Sequence, residues 1–490
     1  MVRQIIPLRD QIQKILLISP PGKITVTKEG SRERKLAVPP LGLAALGATL
    51  LEAGFDVEIL DVMIEGYEHE QINGPQILYG LSDEDVIKRL QAYDPDMVGV
   101  SCLFSNRGME ALNLCRLAKD TVPDAHVILG GQHPSGMPEL VMDGNIDYLM
   151  FGEADHSLVQ LVQCINTAGN IRDVHQIVLK ENDTYWKSQI NSYPEPQKLP
   201  LPAWELVNLD KYWNAGLADY ETNTKDRQNF LIMMSSRGCP HECYFCTAPL
   251  MSDRKYRRKE IPQVIEEIQH YKDTYNIDEI HFWDDNFFIN KKRVKELLRA
   301  ITTHFPDMSF QVPSGSEVNA IDDEVIDLLA KAKFKKLFMA VESLNTDIQE
   351  SVIDKQVDVS RVPEIADKLR KKGIISEGSF MVGFPHETKK QIDHTLENAT
   401  KLGLDRISIS IVNPLPGTPL YDECKASNLL YDDFDPQNIR WSTENIKMSE
   451  VERGYISRRR REVWETYMKD KIDITKYETQ NIVTDYDKDK

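Results

Sequence analysis

Two series of short apolar runs, each alternating with stretches of helix length, constrain the fold of this chain more than any other feature. The first series extends from residue 14 to about residue 180, and the second begins at Phe230. Strands that are apolar along their whole length and alternate with helices are typical of parallel sheets covered on both faces. We therefore predict an α/β protein. Its 490 residues allow about three domains, or two large ones with a tail.

The first series predicts a doubly wound parallel sheet. Its expected strands are residues 15–19, 57–61, 97–101, 127–129, 148–151 and 177–179. The second series has six strand-helix units, which predict a partial (β/α) barrel. The expected strands are residues 230–236, 279–283, 308–312, 336–341, 379–383 and 406–412.

The loss of this alternation marks the expected domain boundaries. Residues 186–228 contain several prolines and a few aromatics, which indicates a linker that packs on a neighbouring domain. We predict a first domain over residues 1–185, the barrel over residues 229–432, and a helical C-terminal segment over residues 433–490. One helix is expected at residues 449–469, and the polar end after it is expected to be loose.

Charge and hydropathy exclude several classes of protein. The chain has 59 Lys and Arg against 77 Asp and Glu, a net charge of −18, so nucleic acid is not the expected partner. The longest uncharged apolar stretch, residues 36–51, has 16 residues, fewer than the roughly 20 that span a bilayer. The first residues mix charges with apolar residues and lack the apolar core of a signal peptide. We expect a cytoplasmic protein without a membrane span.

The cysteines are unevenly distributed. Cys239, Cys243 and Cys246 lie within eight residues, in the sequence GCPHECYFC directly after the first strand of the second series. Three thiolates on one loop favour a soft metal site. A zinc site completed by His241 is the alternative, and a disulfide is disfavoured in a reducing compartment. The remaining cysteines are scattered and are interpreted as small buried side chains: Cys102, Cys115, Cys164 and Cys424.

The cysteine loop resembles that of the radical S-adenosylmethionine (SAM) superfamily. The signature of that family is CxxxCxΦC with an aromatic residue at Φ, here Phe245. The resemblance implies a 4Fe–4S cluster held by the three cysteines, with one iron free to bind the amino and carboxylate groups of SAM. One electron then cleaves SAM to methionine and a 5′-deoxyadenosyl radical. A low-potential electron donor such as flavodoxin or ferredoxin is implied as well.

Other barrel positions match the SAM-contact places of the family more loosely. They are Asp284 and Asp285 in FWDDNFF, Ser314, Glu342 in FMAVES, and Gly383 in MVGFPHET. The two aspartates are also suited to capping a helix, which is the alternative interpretation. Ala340 stands where the family usually has glycine.

Small and polar residues follow the predicted strands of the first series. These are Ser101, Gly130, Gly131, Gly152 and Glu153. A parallel sheet binds its ligand at the carboxyl ends of its strands, and glycines there let a large ligand approach the backbone. Tight strand-to-helix turns are the alternative.

The first domain resembles the Rossmann-like cobalamin-binding domain of class B radical SAM enzymes. The resemblance lies in residues 38–61, 94–102, 128–139 and 148–158. That class includes cobalamin-dependent methyltransferases and the anaerobic magnesium-protoporphyrin ester cyclase. The motif D-x-H-x-x-G, which supplies a histidine to cobalt in other cobalamin proteins, is missing after the first strand. We therefore interpret His126 as structural and expect cobalt without a protein histidine, although His133 lies where it could touch the corrin.

The resemblance implies a cobalamin-dependent radical SAM methyltransferase that acts on a small molecule. One rival keeps both cofactors but catalyses cyclisation or another rearrangement. A second rival is a cluster-bearing sensor without turnover. Substrate contacts are expected from the barrel interior and the C-terminal segment, including Trp441, Trp464 and Tyr467, for which core packing is the alternative.

Overall fold

A computed structural model divides the chain into two units. The structure describes residues 7–25, 35–73, 76–181, 184–190, 192–215, 229–354 and 357–469. The first unit holds the described residues up to Ala215 together with Pro436–Asn438, and the second holds the rest. No helix within these ranges is both long enough and apolar enough to cross a membrane.

A seven-stranded sheet forms the centre of the first unit. Its order is β10-β9-β8-β7-β6-β1-β3; the strands β3, β1, β6, β7 and β8 are parallel to one another, β9 is antiparallel to β8, and β10 is antiparallel to β9. The strands of the unit are β1 (Lys14–Ser19), β2 (Gly22–Thr25), β3 (Asp56–Asp61), β4 (Glu70–Asn73), β5 (Gln76–Tyr79), β6 (Met97–Ser101), β7 (His126–Gly130), β8 (Tyr148–Met150), β9 (Ile177–Glu181) and β10 (Thr184–Lys187). The helices are α1 (Leu41–Glu52), α2 (Val62–Glu65), α3 (Asp83–Tyr93), α4 (Gly108–Thr121), α5 (Gln132–Gly136), α6 (Pro138–Val141), α7 (Asp155–Asn166) and α8 (Leu209–Asn214).

Strand β1 shows why the apolar runs predicted this sheet. Leu16 and Ile18 belong to the core on one face, whereas Ile15 and Leu17 belong to the core on the other. Because both faces are covered by helices, every position of the strand is apolar. The predicted doubly wound fold is confirmed.

A second, antiparallel sheet of order β2-β5-β4 was not predicted. Each of its strands has only four residues, and polar residues interrupt the apolar alternation on which the prediction relied. The described part of the expected linker packs within the first unit: Trp204 and Tyr212 are fully buried, and the Ala203 N–H donates to the Ala44 carbonyl at 2.9 Å.

Six described strands of the second unit are parallel and lie in sequence order, and two short strands, β12 and β13, form a separate antiparallel pair. Sheets β11-β14-β15 and β16-β17-β18 are joined through Ser316, whose N–H donates to the Phe338 carbonyl at 2.7 Å and whose carbonyl accepts from the Ala340 N–H at 3.0 Å. The strands are β11 (Phe230–Met233), β12 (Ser236–Arg237), β13 (Arg257–Arg258), β14 (Glu279–Phe282), β15 (Ser309–Gln311), β16 (Lys336–Glu342), β17 (Ile375–Val382) and β18 (Arg406–Ile411). The helices are α9 (Ala248–Ser252), α10 (Ile261–Tyr275), α11 (Lys291–His304), α12 (Asp323–Lys331), α13 (Thr346–Val352), α14 (Val362–Lys371), α15 (Lys389–Ala399), α16 (Pro419–Ala426) and α17 (Tyr455–Lys469). The predicted partial barrel is confirmed.

The C-terminal segment covers the free edge of β18. The Ile411 N–H donates to the Trp441 carbonyl at 2.8 Å, and the Arg460 guanidinium donates to the Ile409 carbonyl. Covering an edge strand in this way satisfies its backbone and blocks pairing with other chains.

The three aromatic residues of the C-terminal segment differ in burial. Tyr467 is buried, Trp464 is half-buried and Trp441 is 55% exposed. The end that was expected to be loose lies after Lys469, outside the described residues.

The backbone bridge at Ser316 gives a prediction for stability. Ser316→Pro removes the N–H that bonds Phe338, so the free energy of unfolding should fall by about 3 kcal/mol. Ser316→Ala is the matched control, because the buried hydroxyl has no hydrogen-bond partner in the described chain and its loss should cost little. Urea unfolding of both variants without ligands measures the difference. Equal stability of the two would contradict the role of the bridge.

Candidate cofactor sites

The three clustered cysteines follow β11 and β12 on one half-buried loop. The Cys246 N–H donates to the Cys243 carbonyl at 3.0 Å, and the Cys246 Sγ accepts the Ala248 N–H at 3.4 Å as α9 begins. Burial raises the pKa of Cys246 to about 11. A metal that takes this thiol must therefore displace its proton.

The donor set fits a cluster better than a single zinc ion. All seven cysteines are free thiols. Within the described ranges, no three His, Cys, Asp or Glu side chains form a group that could hold one metal ion. His241 instead places its Nε2 atom 2.7 Å from Glu317 Oε1. In a 4Fe–4S cluster each thiolate binds a different iron, so separated thiols on one loop suit it.

Three consecutive side chains after β14 hold the beginning of the cysteine loop. The carboxylate of Asp284 accepts hydrogen bonds from the Ser235 N–H and hydroxyl and from the Ser236 hydroxyl, at 3.2, 3.0 and 2.6 Å. Asp285 accepts the Gly238 N–H at 2.7 Å, and Asn286 Nδ2 lies 3.6 Å from Cys239 Sγ. Burial raises the pKa of Asp284 to about 6.

These contacts revise the expectation for the two aspartates. Asp284 is 1% exposed, and both of its oxygens accept hydrogen bonds from the loop, so it supports the cysteines. The alternative interpretation as helix caps is wrong, because Asn290 caps α11 through the Arg293 N–H at 3.1 Å.

The other side of the cysteine loop packs against the last barrel elements. The Tyr244 N–H donates to the Val352 carbonyl at 3.0 Å, and the Tyr244 hydroxyl donates to Glu423. The rings of Phe245 and Phe384 lie 5.9 Å apart. The aromatic position of the motif thus anchors the loop in an apolar cluster that includes Leu420.

Buried polar atoms without partners collect at the carboxyl ends of the barrel strands. Within the described chain they are the hydroxyls of Ser314 and Ser316, the Trp283 indole N–H, Asn286 Oδ1 and Glu387 Oε1. Each such atom is costly unless a ligand or water bonds it. A polar ligand such as SAM would supply these bonds, so the residues fit it. Sequence analysis named Ser314 itself; Trp283 and Asn286 lie inside FWDDNFF and Glu387 lies inside MVGFPHET, whereas Ser316 lies in none of the quoted segments.

Glu342 and Gly383 occupy unusual backbone positions. Glu342 ends β16 at a β-bulge with φ +65° and is 8% exposed. Such a backbone is uncommon for a residue other than glycine and is found at functional sites. Gly383 has φ +95°, and a Cβ there would lie 3.1 Å from Ile456 Cδ1. The backbone and Ile456 therefore explain this glycine without a ligand.

The five candidate residues of the first unit lie at one edge of its sheet. Ser101 and Gly130 are register partners at the ends of β6 and β7, and Gly152 and Glu153 follow β8. A Cβ on Gly131, which has φ +114°, would lie 2.5 Å from the Cys102 carbonyl oxygen. The turn itself therefore requires Gly131. At Gly130 a new Cβ would lie 3.6 Å from the Met150 carbonyl oxygen, an ordinary contact, so the turn does not itself require glycine there.

Exposed apolar side chains lie at the same edge and fit a large macrocycle. Leu103, Phe104 and Met109, just after β6, are 50%, 58% and 60% exposed. A group of large exposed apolar side chains marks a binding surface. The corrin ring of cobalamin would cover such a surface.

The two histidines of this unit differ in position. His126 begins β7, at the opposite end of that strand from Gly130, and its Nε2 atom is 2.7 Å from the Arg9 carbonyl. Burial lowers its pKa. His133 is 4% exposed, with Nδ1 3.0 Å from the Ser105 hydroxyl. His126 is thus packed away from the candidate ligand edge, whereas His133 lies at that edge, directly after Gly131 and Gln132.

Comparison with known proteins identifies both units. The B12 binding domain model matches residues 31–162, and the Radical SAM superfamily model matches residues 233–399. A Streptomyces wedmorensis protein named cytidylyl-2-hydroxyethylphosphonate methyltransferase is 28% identical over 456 residues, 85% of this chain and 83% of the relative. The uncharacterized methyltransferase PH0819 of Pyrococcus horikoshii is 29% identical over 462 residues, 91% and 92% of the two chains.

A cyclase and a solved structure are also similar. The anaerobic magnesium-protoporphyrin IX monomethyl ester cyclase of Synechocystis is 24% identical over 421 residues, 83% of this chain and 76% of the relative. The structure of the radical SAM methyltransferase TsrM from Kitasatospora setae, with tryptophan and a SAM analog bound, has a TM-score of 0.67 at 17% identity and covers 85% and 76% of the two chains.

This chain belongs to the cobalamin-binding radical SAM enzymes. Cobalamin, SAM and a 4Fe–4S cluster are the cofactors of such an enzyme.

Glu387 gives a prediction for pH dependence. Its Oε2 atom accepts the Gly383 and Phe384 N–H groups at 2.7 and 3.2 Å, but burial outweighs them and raises its pKa from 4.5 to about 7. The folded state therefore binds the proton more tightly, and the stability that this contributes is lost as pH rises from 4.5 through about 7. Relative to Glu387→Gln, the wild type should lose up to about 3 kcal/mol over that window. Denaturation of both proteins without ligands at several pH values measures this; a constant difference would contradict it.

Proposed function

We propose that this chain is a cobalamin-dependent radical SAM methyltransferase that methylates a small molecule. The observation that carries the proposal is the braced loop of Cys239, Cys243 and Cys246 in a chain that also has a B12-binding domain. When bound, the cluster with SAM supplies a 5′-deoxyadenosyl radical, and cobalamin supplies the methyl group. The three thiolates hold the cluster.

The remaining roles are assigned from burial and hydrogen bonding. Ser314, Ser316 and Glu387 bind polar groups of SAM, because each has a buried oxygen that lacks a partner in the described chain. Glu342 contributes to the SAM site from its strained backbone position at the end of β16. Asp285 holds the cysteine loop by accepting the Gly238 N–H. In the first unit, cobalamin lies over the sheet edge that carries Ser101, Gly130, Gly131, Gly152 and Glu153.

The inner wall of the barrel supports a polar substrate. One face of the sheet β16-β17-β18 is fully buried: Met339, Phe380 and Ile409 on it are at most 2% exposed. On the opposite face Ala340 and Met381 are buried, and half-buried side chains lie beside them. These are Phe338, Ser379, Ser408 and Ser410. Barrel interiors filled by their own side chains are dominated by Val, Ile and Leu, so the three hydroxyl groups here favour a substrate with polar groups.

An electron donor of low potential, such as flavodoxin or ferredoxin, completes the proposed reaction. Thiols that bind iron must stay reduced, and this requirement supports a cytoplasmic location. The alternative activity is cyclisation or another rearrangement without methyl transfer. It is favoured by one specific observation, the 24% identity to the Synechocystis cyclase over most of both chains.

The cluster assignment predicts the effect of removing the thiolates. Replacing Cys239, Cys243 and Cys246 together with Ala should abolish iron binding and the reductive cleavage of SAM, because no thiolate remains on the loop. Cys164→Ala is the matched control: this thiol is half-buried in the first unit, and its loss should leave both properties intact. Iron analysis and detection of 5′-deoxyadenosine measure the outcome. Cleavage of SAM by the triple variant would refute the assignment.

The fate of the SAM methyl group separates the two activities. A methyltransferase should pass label from methyl-labelled SAM to cobalamin and then to product, and should form S-adenosylhomocysteine and 5′-deoxyadenosine in roughly equal amounts. Mass spectrometry of metabolites from cells with and without the protein identifies the substrate for this assay. Formation of 5′-deoxyadenosine alone, with an unlabelled product, would establish the rearrangement instead.

A further inference from the structure

The side-chain amide of Asn286 approaches a cluster cysteine directly. Asn286 is 5% exposed, and its Nδ2 atom lies 3.6 Å from Cys239 Sγ, a separation suited to a hydrogen bond to sulfur. Asp284 and Asp285, which precede it, bond only oxygen and nitrogen atoms of the loop among their described partners. Asn286 is thus the member of this segment that faces the sulfur.

Glu317 fixes which end of the amide faces the cysteine. Glu317 Oε1 lies 2.6 Å from Asn286 Nδ2. A carboxylate only accepts hydrogen bonds, so the NH2 group must face it and Oδ1 must face away. The NH2 group has two hydrogens, one for Glu317 and one for Cys239. The buried Oδ1 has no partner in the described chain, so the two Nδ2 bonds alone hold the amide in this orientation.

The same carboxylate connects three loops. Glu317 lies after β15, Asn286 lies after β14, and His241, whose Nε2 is 2.7 Å from Glu317 Oε1, lies between the first two cluster cysteines. The side chains of His241 and Glu317 are only 20% and 19% exposed. An acceptor bonded from two directions in a protected site has little freedom, so the amide of Asn286 is held against the sulfur.

We propose that Asn286 is a positioning residue whose N–H···S hydrogen bond to Cys239, aligned by Glu317, sets the reduction potential of the cluster. The inference rests on the cluster site proposed above. Reduction adds negative charge to the cluster and its thiolates. A hydrogen donor at a thiolate stabilises that charge, and hydrogen bonds to the sulfurs are one of the factors that set such potentials. The bond from Asn286 therefore makes the cluster easier to reduce.

The test compares Asn286→Leu with the wild type in the full chain, reconstituted with iron and sulfide without oxygen. Leucine keeps the shape of the side chain and removes the donor. The midpoint potential is measured by a redox titration followed by electron paramagnetic resonance, and iron content is measured on the same samples. We expect retained iron and a reduction equilibrium about tenfold less favourable, which is about 59 mV more negative. Asn286→Asp, which is nearly isosteric, should shift the potential further in the same direction.

Asn290→Ala is the matched control. Asn290 lies in the same segment and caps α11, so its loss should lower the melting temperature and leave the potential unchanged. If Asn286→Leu does not fold, Asn286→Asp decides the question. A folded Asn286 variant with the wild-type potential, or one that loses its iron, would refute this inference alone. A wild-type protein that binds no cluster would refute the proposed function and this inference with it.

Discussion

The buried carboxylate of Asp284 is the contact on which the candidate cluster site depends. It joins the loop after β11 to the loop after β14 through three hydrogen bonds. Asp284 is 1% exposed, and hydrogen bonds in such a protected position are strong and costly to lose; the same burial raises its pKa to about 6. Asp285 and Asn286 extend the same contact to Gly238 and Cys239. The position of the first cysteine thus follows from the second strand of the barrel.

The parallel order of the strands turns these local contacts into a site. Because the carboxyl ends of parallel strands share one edge, the cysteine loop, Ser314, Glu342 and Glu387 all belong to the same end of the barrel. The first unit follows the same rule with a different surface. Its edge offers exposed apolar side chains such as Phe104, which suit a flat macrocycle better than a charged ligand.

The sequence predicts the strands well because burial on both faces requires apolar residues at every position. Met97–Ser101 was predicted to the residue. Strand β17 begins at Ile375, whereas the sequence predicts its start at residue 379. The prediction is late because Glu377 and Gly378 interrupt the apolar run. The antiparallel sheet of β2, β4 and β5 has no such run and was missed.

Side-chain direction could not be predicted in the same way. Asp284 bonds Ser235 and Ser236 of the loop after β11, and residue type does not tell which partner a carboxylate meets. A Cβ on the glycine at position 131 would meet the Cys102 carbonyl, so the turn requires this glycine whether or not a ligand lies beside it. Ser316 was overlooked because its role as the bridge between two sheets depends on a long-range pairing with Phe338 and Ala340.

Mössbauer spectroscopy of the reconstituted protein, with and without SAM, tests the central claim most directly. Three protein thiolates leave one iron of a 4Fe–4S cluster without a protein ligand, so SAM should change the spectrum of one iron in four and leave the other three unchanged. A spectrum in which SAM changes no iron, or in which the iron is not present as a 4Fe–4S cluster, would contradict the account.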